Sequence, residues 1–187
     1  LPIGAKQTIT LIPAGGSATA QVTYDTTDKE GARKIQVLVD PHTMIPESGE
    51  NDNSAIQTLN VMRAPAPNLV VQTANIGVNP INPNEGETVT LRATILNNGE
   101  IDAEDVSVQF IDVTEKSPMP IAANQVIALI PAGGSGVAEV TYDTSGKVNS
   151  TLSARKIQVS ADHNNLLVES NENDNSATQS IAIAPLA

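Results

Sequence analysis

Apolar and polar residues alternate one by one over several short stretches of the chain. Val89, Leu91, Ala93 and Ile95 fall on one side of an extended backbone, with Thr88, Thr90, Arg92 and Thr94 on the other. Val106, Val108 and Phe110 alternate with Ser107 and Gln109, and the pattern returns in Ala138, Val140 and Tyr142, in Ile157 and Val159, and in Gln179, Ile181 and Ile183. Successive side chains of a strand point to opposite faces, so such runs predict half-buried β-strands. With two more strands at residues 69–75 and 125–130, the region from Pro67 onward carries seven, and no helical period interrupts them. Asn97-Asn98-Gly99 and Ala132-Gly133-Gly134 read as turns, because Gly and Asn accept positive φ at low cost. Seven short strands at this spacing predict an all-β, immunoglobulin-like or fibronectin-like sandwich, with a barrel as the alternative closure.

The chain also repeats itself. Leu11-Ile12-Pro13-Ala14-Gly15-Gly16 returns at residues 129–134 and Thr23-Tyr24-Asp25-Thr26 at 141–144, both 118 positions later. Ala32-Arg33-Lys34-Ile35-Gln36-Val37 returns at 154–159 and Glu50-Asn51-Asp52-Asn53-Ser54-Ala55 at 172–177, 122 positions later. The preserved order marks a duplicated folding unit, with four residues inserted near 145–153 in a loop. Pro65-Ala66-Pro67 separates the copies. The expected organisation is the C-terminal part of a repeat over 1–62, a linker over 63–66 and a complete repeat over 67–187. Four strands are expected in the partial copy, near 7–12, 18–24, 34–39 and 55–61. They would present Ile35, Val37, Val39, Leu59 and Val61 to a partner sheet, supplied by upstream sequence or by a neighbouring subunit.

Composition narrows the function. Phe110, Tyr24 and Tyr142 are the only aromatic residues, so branched aliphatic side chains and Ala must fill the core. Ten basic against twenty-one acidic residues give a net charge of −11, which repels nucleic acid and anionic lipid headgroups. The absence of cysteine excludes disulfides and thiolate chemistry. No run of eighteen apolar residues exists to span a membrane. Nothing at Leu1 resembles a signal peptide, which fits a mature chain or a piece of a longer one.

Candidate chemistry is sparse. His42 and His163 sit in polar turns without a second His or a Cys beside them and read as surface residues. Gly15-Gly16 and Gly133-Gly134 lack the lysine and helix of a phosphate loop. Paired carboxylates for glycoside hydrolysis would lack aromatic sugar platforms. Asp162, Glu169, Glu172 and Asp174, with Asn173 and Asn175, form an oxygen-rich stretch repeated as Asp40, Glu47, Glu50 and Asp52 with Asn51 and Asn53. Hard oxygen donors at a tight turn suit Ca²⁺. The competing and weightier reading is that these side chains bond to their own backbone. Asn149-Ser150-Thr151 is the single glycosylation sequon, in the inserted loop, and Lys147 near it reads as solvated.

In order, these features resemble the CARDB family, the cell-adhesion-related domain of bacterial and archaeal surface proteins. The resemblance rests on Pro67-Asn68-Leu69-Val70-Val71, Pro83-Asn84-Glu85-Gly86-Glu87-Thr88-Val89, Ala93-Thr94-Ile95-Leu96-Asn97-Asn98-Gly99, Ile130-Pro131-Ala132-Gly133-Gly134 and the acidic close at residues 168–175. It implies extracellular, non-enzymatic immunoglobulin-like modules, often in tandem, with structural or adhesive roles. Expected partners are adjacent repeats or further copies of the chain in a stalk or filament, and surface glycans or proteins. A carbohydrate-binding accessory module of a secreted enzyme is the alternative.

Overall fold

The computed structural model describes residues 1–148 and 154–186, which fall into two units, Leu1–Ala64 and Pro65–Ala187. The sequon at Asn149 lies outside the described residues.

In the N-terminal unit, β1 (Gly31–Leu38) and β2 (Ser54–Val61) form an antiparallel hairpin. The C-terminal unit contains β3 (Leu69–Val70), β4 (Ile76–Asn79), β5 (Thr88–Asn97), β6 (Ala103–Asp112), β7 (Met119–Pro120), β8 (Gln125–Ile130), β9 (Ser135–Asp143), β10 (Ala154–Ala161) and β11 (Ser176–Ala182). One sheet runs β11-β10-β6, with β7 and β8 sharing the far edge of β6. The other is centred on β5, with β3 and β4 along one edge and β9 along the other. Both are antiparallel and open, so the unit is a sandwich rather than a barrel.

The alternation decides what lies between the sheets. Val89, Leu91, Ala93 and Ile95 of β5 are wholly buried, as are Val106 and Val108 of β6 and Ile157 and Val159 of β10, while Phe110 is nearly so. Register brings these faces together: Leu91 lies opposite Val140, Ala93 opposite Ala138, and Val159 opposite Phe110. Six of the seven expected strands are present, the seventh is reduced to β3, and β4 and β7 add two short ones. The stretch 69–75 is not one strand, because a single 3₁₀ turn at Thr73–Asn75 carries the chain from β3 into β4. Pro80 after β4 and Pro120 within β7 explain why neither signalled a strand, since proline cannot donate to a ladder.

The N-terminal unit departs from expectation at residues 7–12 and 18–24, which form no strand. Their copies show why: β8 pairs with β6 and β9 with β5, and the N-terminal unit has no counterpart of β5 or β6. The hairpin survives because β10 and β11 pair with each other, as β1 and β2 do. Of its expected apolar face, Ile35 and Val61 are half-buried, while Val37, Val39 and Leu59 are left open. Val159 is 0 % exposed and its copy Val37 58 %; Ala161 is 1 % and Val39 56 %; Ile181 is 1 % and Leu59 40 %. Full burial of such an aliphatic side chain is worth about 1.5–3 kcal/mol, of which each of these half-exposed ones forgoes a part.

Turns depend on nearby residues alone and form in both units. Gly15 and Gly133 adopt φ of 71° and 70°, and the next glycine's N–H donates to Pro13 O and to Pro131 O, both at 2.8 Å. The same type II geometry appears whether or not the flanking strands are paired.

Candidate functional site

The acidic stretch after β10 is a loop held by its own carboxylates. Asp162 and Asn165 take positive φ, and the Asn165 N–H donates to Asp162 O at 2.8 Å. The Leu166 and Leu167 N–H groups donate to Asp162 Oδ1 and Oδ2 at 3.1 and 2.8 Å. Glu172 Oε1 accepts from the Glu169 N–H at 2.9 Å, and Glu169 Oε1 accepts from Asn175 Nδ2 at 2.7 Å. Glu169 Oε2 accepts from the Leu69 N–H, tying the loop to β3.

The loop after β1 repeats the pattern. Asp40 Oδ2 accepts from the Ile45 N–H at 2.7 Å, Glu50 Oε1 from the Glu47 N–H at 3.0 Å, and Glu47 Oε2 from Asn53 Nδ2 at 2.7 Å. The backbone donors of Ile45 and Met44 hold the Asp40 carboxyl below its ordinary range. Asp52 is exposed, as are His42 and His163. Among the described residues, no group of three or more His, Cys, Asp or Glu side chains could hold a metal ion.

Glu169 differs from the rest. It is 9 % exposed, and burial pushes its carboxyl up to about 7, against the Leu69 and Asn175 hydrogen bonds and with the repulsion of Glu172 and Asp162. Nearby, the Asn68 amide donates to Asp174 Oδ2 at 3.4 Å. Asn68 Oδ1, Asp174 Oδ1 and Asn175 Oδ1 are buried and accept no hydrogen bond among the described residues.

The same end of the unit fixes the first strand. The Asn68 N–H donates to Asn97 Oδ1 at 3.0 Å, the Asn98 and Glu100 N–H groups to Asn68 O and Ala66 O at 2.8 and 2.9 Å, the Ser170 N–H to Pro67 O at 2.9 Å, and the Val71 N–H to Asp174 O at 3.0 Å. Asn97 is fully buried, and its Nδ2 donates to Ile101 O and Ile130 O at 2.9 and 3.0 Å. A turn residue by sequence, it is a fully bonded core residue in the structure.

A second polar group lies inside the sandwich. Asp112 Oδ2 accepts from Tyr142 Oη at 2.7 Å and from Arg155 Nε and Nη2 at 3.0 and 2.7 Å. Asp112 Oδ1 accepts from the Thr114 N–H and Oγ1 at 3.0 and 2.6 Å, and Arg155 Nη1 reaches Glu115 at 3.2 Å. Burial works to raise the Asp112 carboxyl, but bonds from Thr114, Tyr142 and Arg155 outweigh it and leave the group below its ordinary value. Burial and the adjoining Asp112 push the Tyr142 phenol up. Lys147, expected to be solvated, is half-buried, with its ammonium 5.9 Å from the Tyr142 ring centre. Sequence reasoning missed this network although parity signals it: Asp112 continues the inward positions of Val108 and Phe110, and Arg155 those of Ile157 and Val159.

The model of the CARDB family matches residues 3–57 and 66–179. A search of curated proteins finds no match. Among solved structures, the CARDB domain of the PF1109 protein from Pyrococcus furiosus, crystallised in complex with di-metal ions, is 20 % identical with a TM-score of 0.52 over 65 % of this chain and 96 % of that one. The solution structure of the same domain is 18 % identical with a TM-score of 0.51, over 64 % and 96 %. GmR58A from Geobacter metallireducens is 25 % identical with a TM-score of 0.45, over 56 % and 87 %. The two matched segments cover most of the chain, one on each unit: the chain belongs to the CARDB family.

Proposed function

We propose that the chain serves as a segment of a cell-surface repeat stalk or filament, spacing or attaching what lies beyond it. It is a non-enzymatic, extracellular module of structural or adhesive type. The observation that carries the reading is how the buried ionisable groups are used: Asp112, Arg155 and Tyr142 bond to one another across strands, and Glu169 bonds to the Leu69 N–H of β3. Among the described residues, no helix is long and apolar enough to cross a membrane. The carbohydrate-binding alternative lacks a stacking platform, because Phe110 and Tyr142 are core residues and Tyr24 is half-buried. Electron microscopy of the native assembly tests the proposal. Attachment to cells or to larger fibres is expected, and isolated particles throughout would count against it.

A second reading concerns a divalent cation, most suitably Ca²⁺, at the loop after β10. The buried oxygens of Asn68, Asp174 and Asn175 that accept no hydrogen bond support it, as does the di-metal complex of the PF1109 domain. Asp174, whose Oδ1 accepts no hydrogen bond, and Glu169 would supply charge; Glu169, Asp162 and Glu172 are each already engaged by a backbone donor. A cation there would relieve the cost of ionising Glu169. Chelator should lower the melting temperature and added Ca²⁺ restore it, more strongly at pH 8 than at pH 5. No response at constant ionic strength would leave turn chemistry as the whole account. Asn149 is an acceptor candidate by its sequon alone, which intact mass before and after deglycosylation tests.

A further inference from the structure

The open face of the N-terminal hairpin has a chemistry as well as an apolar character. Arg155 and Tyr142 of the complete unit have copies in Arg33 and Tyr24, yet Asp112 belongs to a part of the repeat with no copy among residues 1–64. Arg155 meets the Asp112 carboxylate at 2.7 Å, whereas Arg33 donates to the main-chain carbonyls of Lys29 and Glu30 at 2.8 and 3.0 Å. The inward-facing arginine is kept, and its acid is not.

We propose that this face receives a strand pair of the same type as Thr88–Asn97 and Ala103–Asp112, and that an acidic side chain at the position of Asp112 pairs with Arg33 and Tyr24. The proposal goes beyond the stalk or filament reading, since it names the chemistry of the contact. The apolar part of the match is the exposed set Val37, Val39 and Leu59, whose copies are covered in the complete unit. The backbone part is residues 7–12 and 18–24, whose copies pair with β6 and β5. The turns joining these segments already have their final form, so the strand pair is what the fold lacks. Within Pro65–Ala187, both edges of β5 and both edges of β6 are already paired in their own sheets.

The test extends the whole chain. A second copy of residues 67–118 is placed ahead of Leu1, a junction that reproduces the repeat because Leu1-Pro2-Ile3 aligns with Met119-Pro120-Ile121. Hydrogen exchange is read at the amides of 7–12 and 18–24 in the parent and extended chains. The extension should slow exchange there by about a hundredfold or more. Asp112→Ala in the added copy alone should forfeit at least about tenfold of that, because it leaves a buried arginine without its acid. Thr88→Ala in the added copy, at an exposed position, should forfeit none. Asp112→Asn keeps the size if alanine prevents folding, and protection between that of the unsubstituted and alanine forms is expected. No slowing on extension, or full slowing with both Asp112 variants, would overturn the proposal.

Discussion

Asp112, Tyr142 and Arg155 show how much a few buried groups contribute when they are fully bonded. Asp112→Ala would leave Arg155, 4 % exposed, without its carboxylate and should cost about 3–5 kcal/mol in urea unfolding. Tyr142→Phe removes one bond to a charged acceptor and should cost about 1.5–3 kcal/mol. Glu169 acts in the opposite sense. Its carboxyl is raised from 4.5 to about 7 in the folded chain, so between those values the native state holds a proton that the unfolded state has released. Stability from this group is complete below about pH 4.5, falls as pH rises, and levels off above about pH 7. In chelator, Glu169→Gln should flatten that slope in melting curves from pH 4 to 8. The glutamine oxygen can accept the Leu69 N–H, and Asn175 can turn its unpartnered oxygen to the new amide.

At the scale of elements, glycines with different duties should separate cleanly. A Cβ on Gly99 would lie 2.4 Å from Asn68 N and from Pro67 backbone atoms, which cannot yield without moving β3. A Cβ on Gly133 meets nothing within 4 Å and faces only the penalty of its positive φ. Gly133→Ala should therefore cost about 1–2 kcal/mol, and Gly99→Ala clearly more, both by chemical unfolding. The strands of the complete unit were legible because alternation reports which side chains face inward. The same alternation at 7–12 and 18–24 predicted strands that do not form, since pairing depends on residues far away in sequence. The oxygen-rich loop was legible as a loop, but the engagement of Asp162, Glu169 and Glu172 by nearby donors required distances. The inward parity of Asp112 and Arg155 was readable and overlooked, because charged residues on a buried face look like strand ends until their partners are known.

For the whole molecule, the two units should differ sharply in cooperativity. The complete unit encloses the buried core, whereas an isolated two-stranded hairpin is marginal in water. Denaturant unfolding should show one cooperative transition, and its m-value should suit about 120 residues rather than the full 187. A slope matching the full length would show that the N-terminal unit melts with its neighbour. A net charge of −11 should oppose association of chains through the exposed apolar hairpin at low salt, and light scattering should rise as salt screens it.

The hydrogen bonds around residues 66–71 take on another meaning if the chain is placed under tension. β3 spans two residues, too few to resist being peeled from β5 alone. Load entering at Ala66 is instead divided among the Ala66, Pro67 and Asn68 carbonyls and the Asn68, Leu69 and Val71 N–H groups, whose partners lie on two different loops and on Asn97. The anchorage works as a latch rather than a zipper: these bonds must yield nearly together before any strand can unravel, and the buried Glu169 carboxyl is one of its pins.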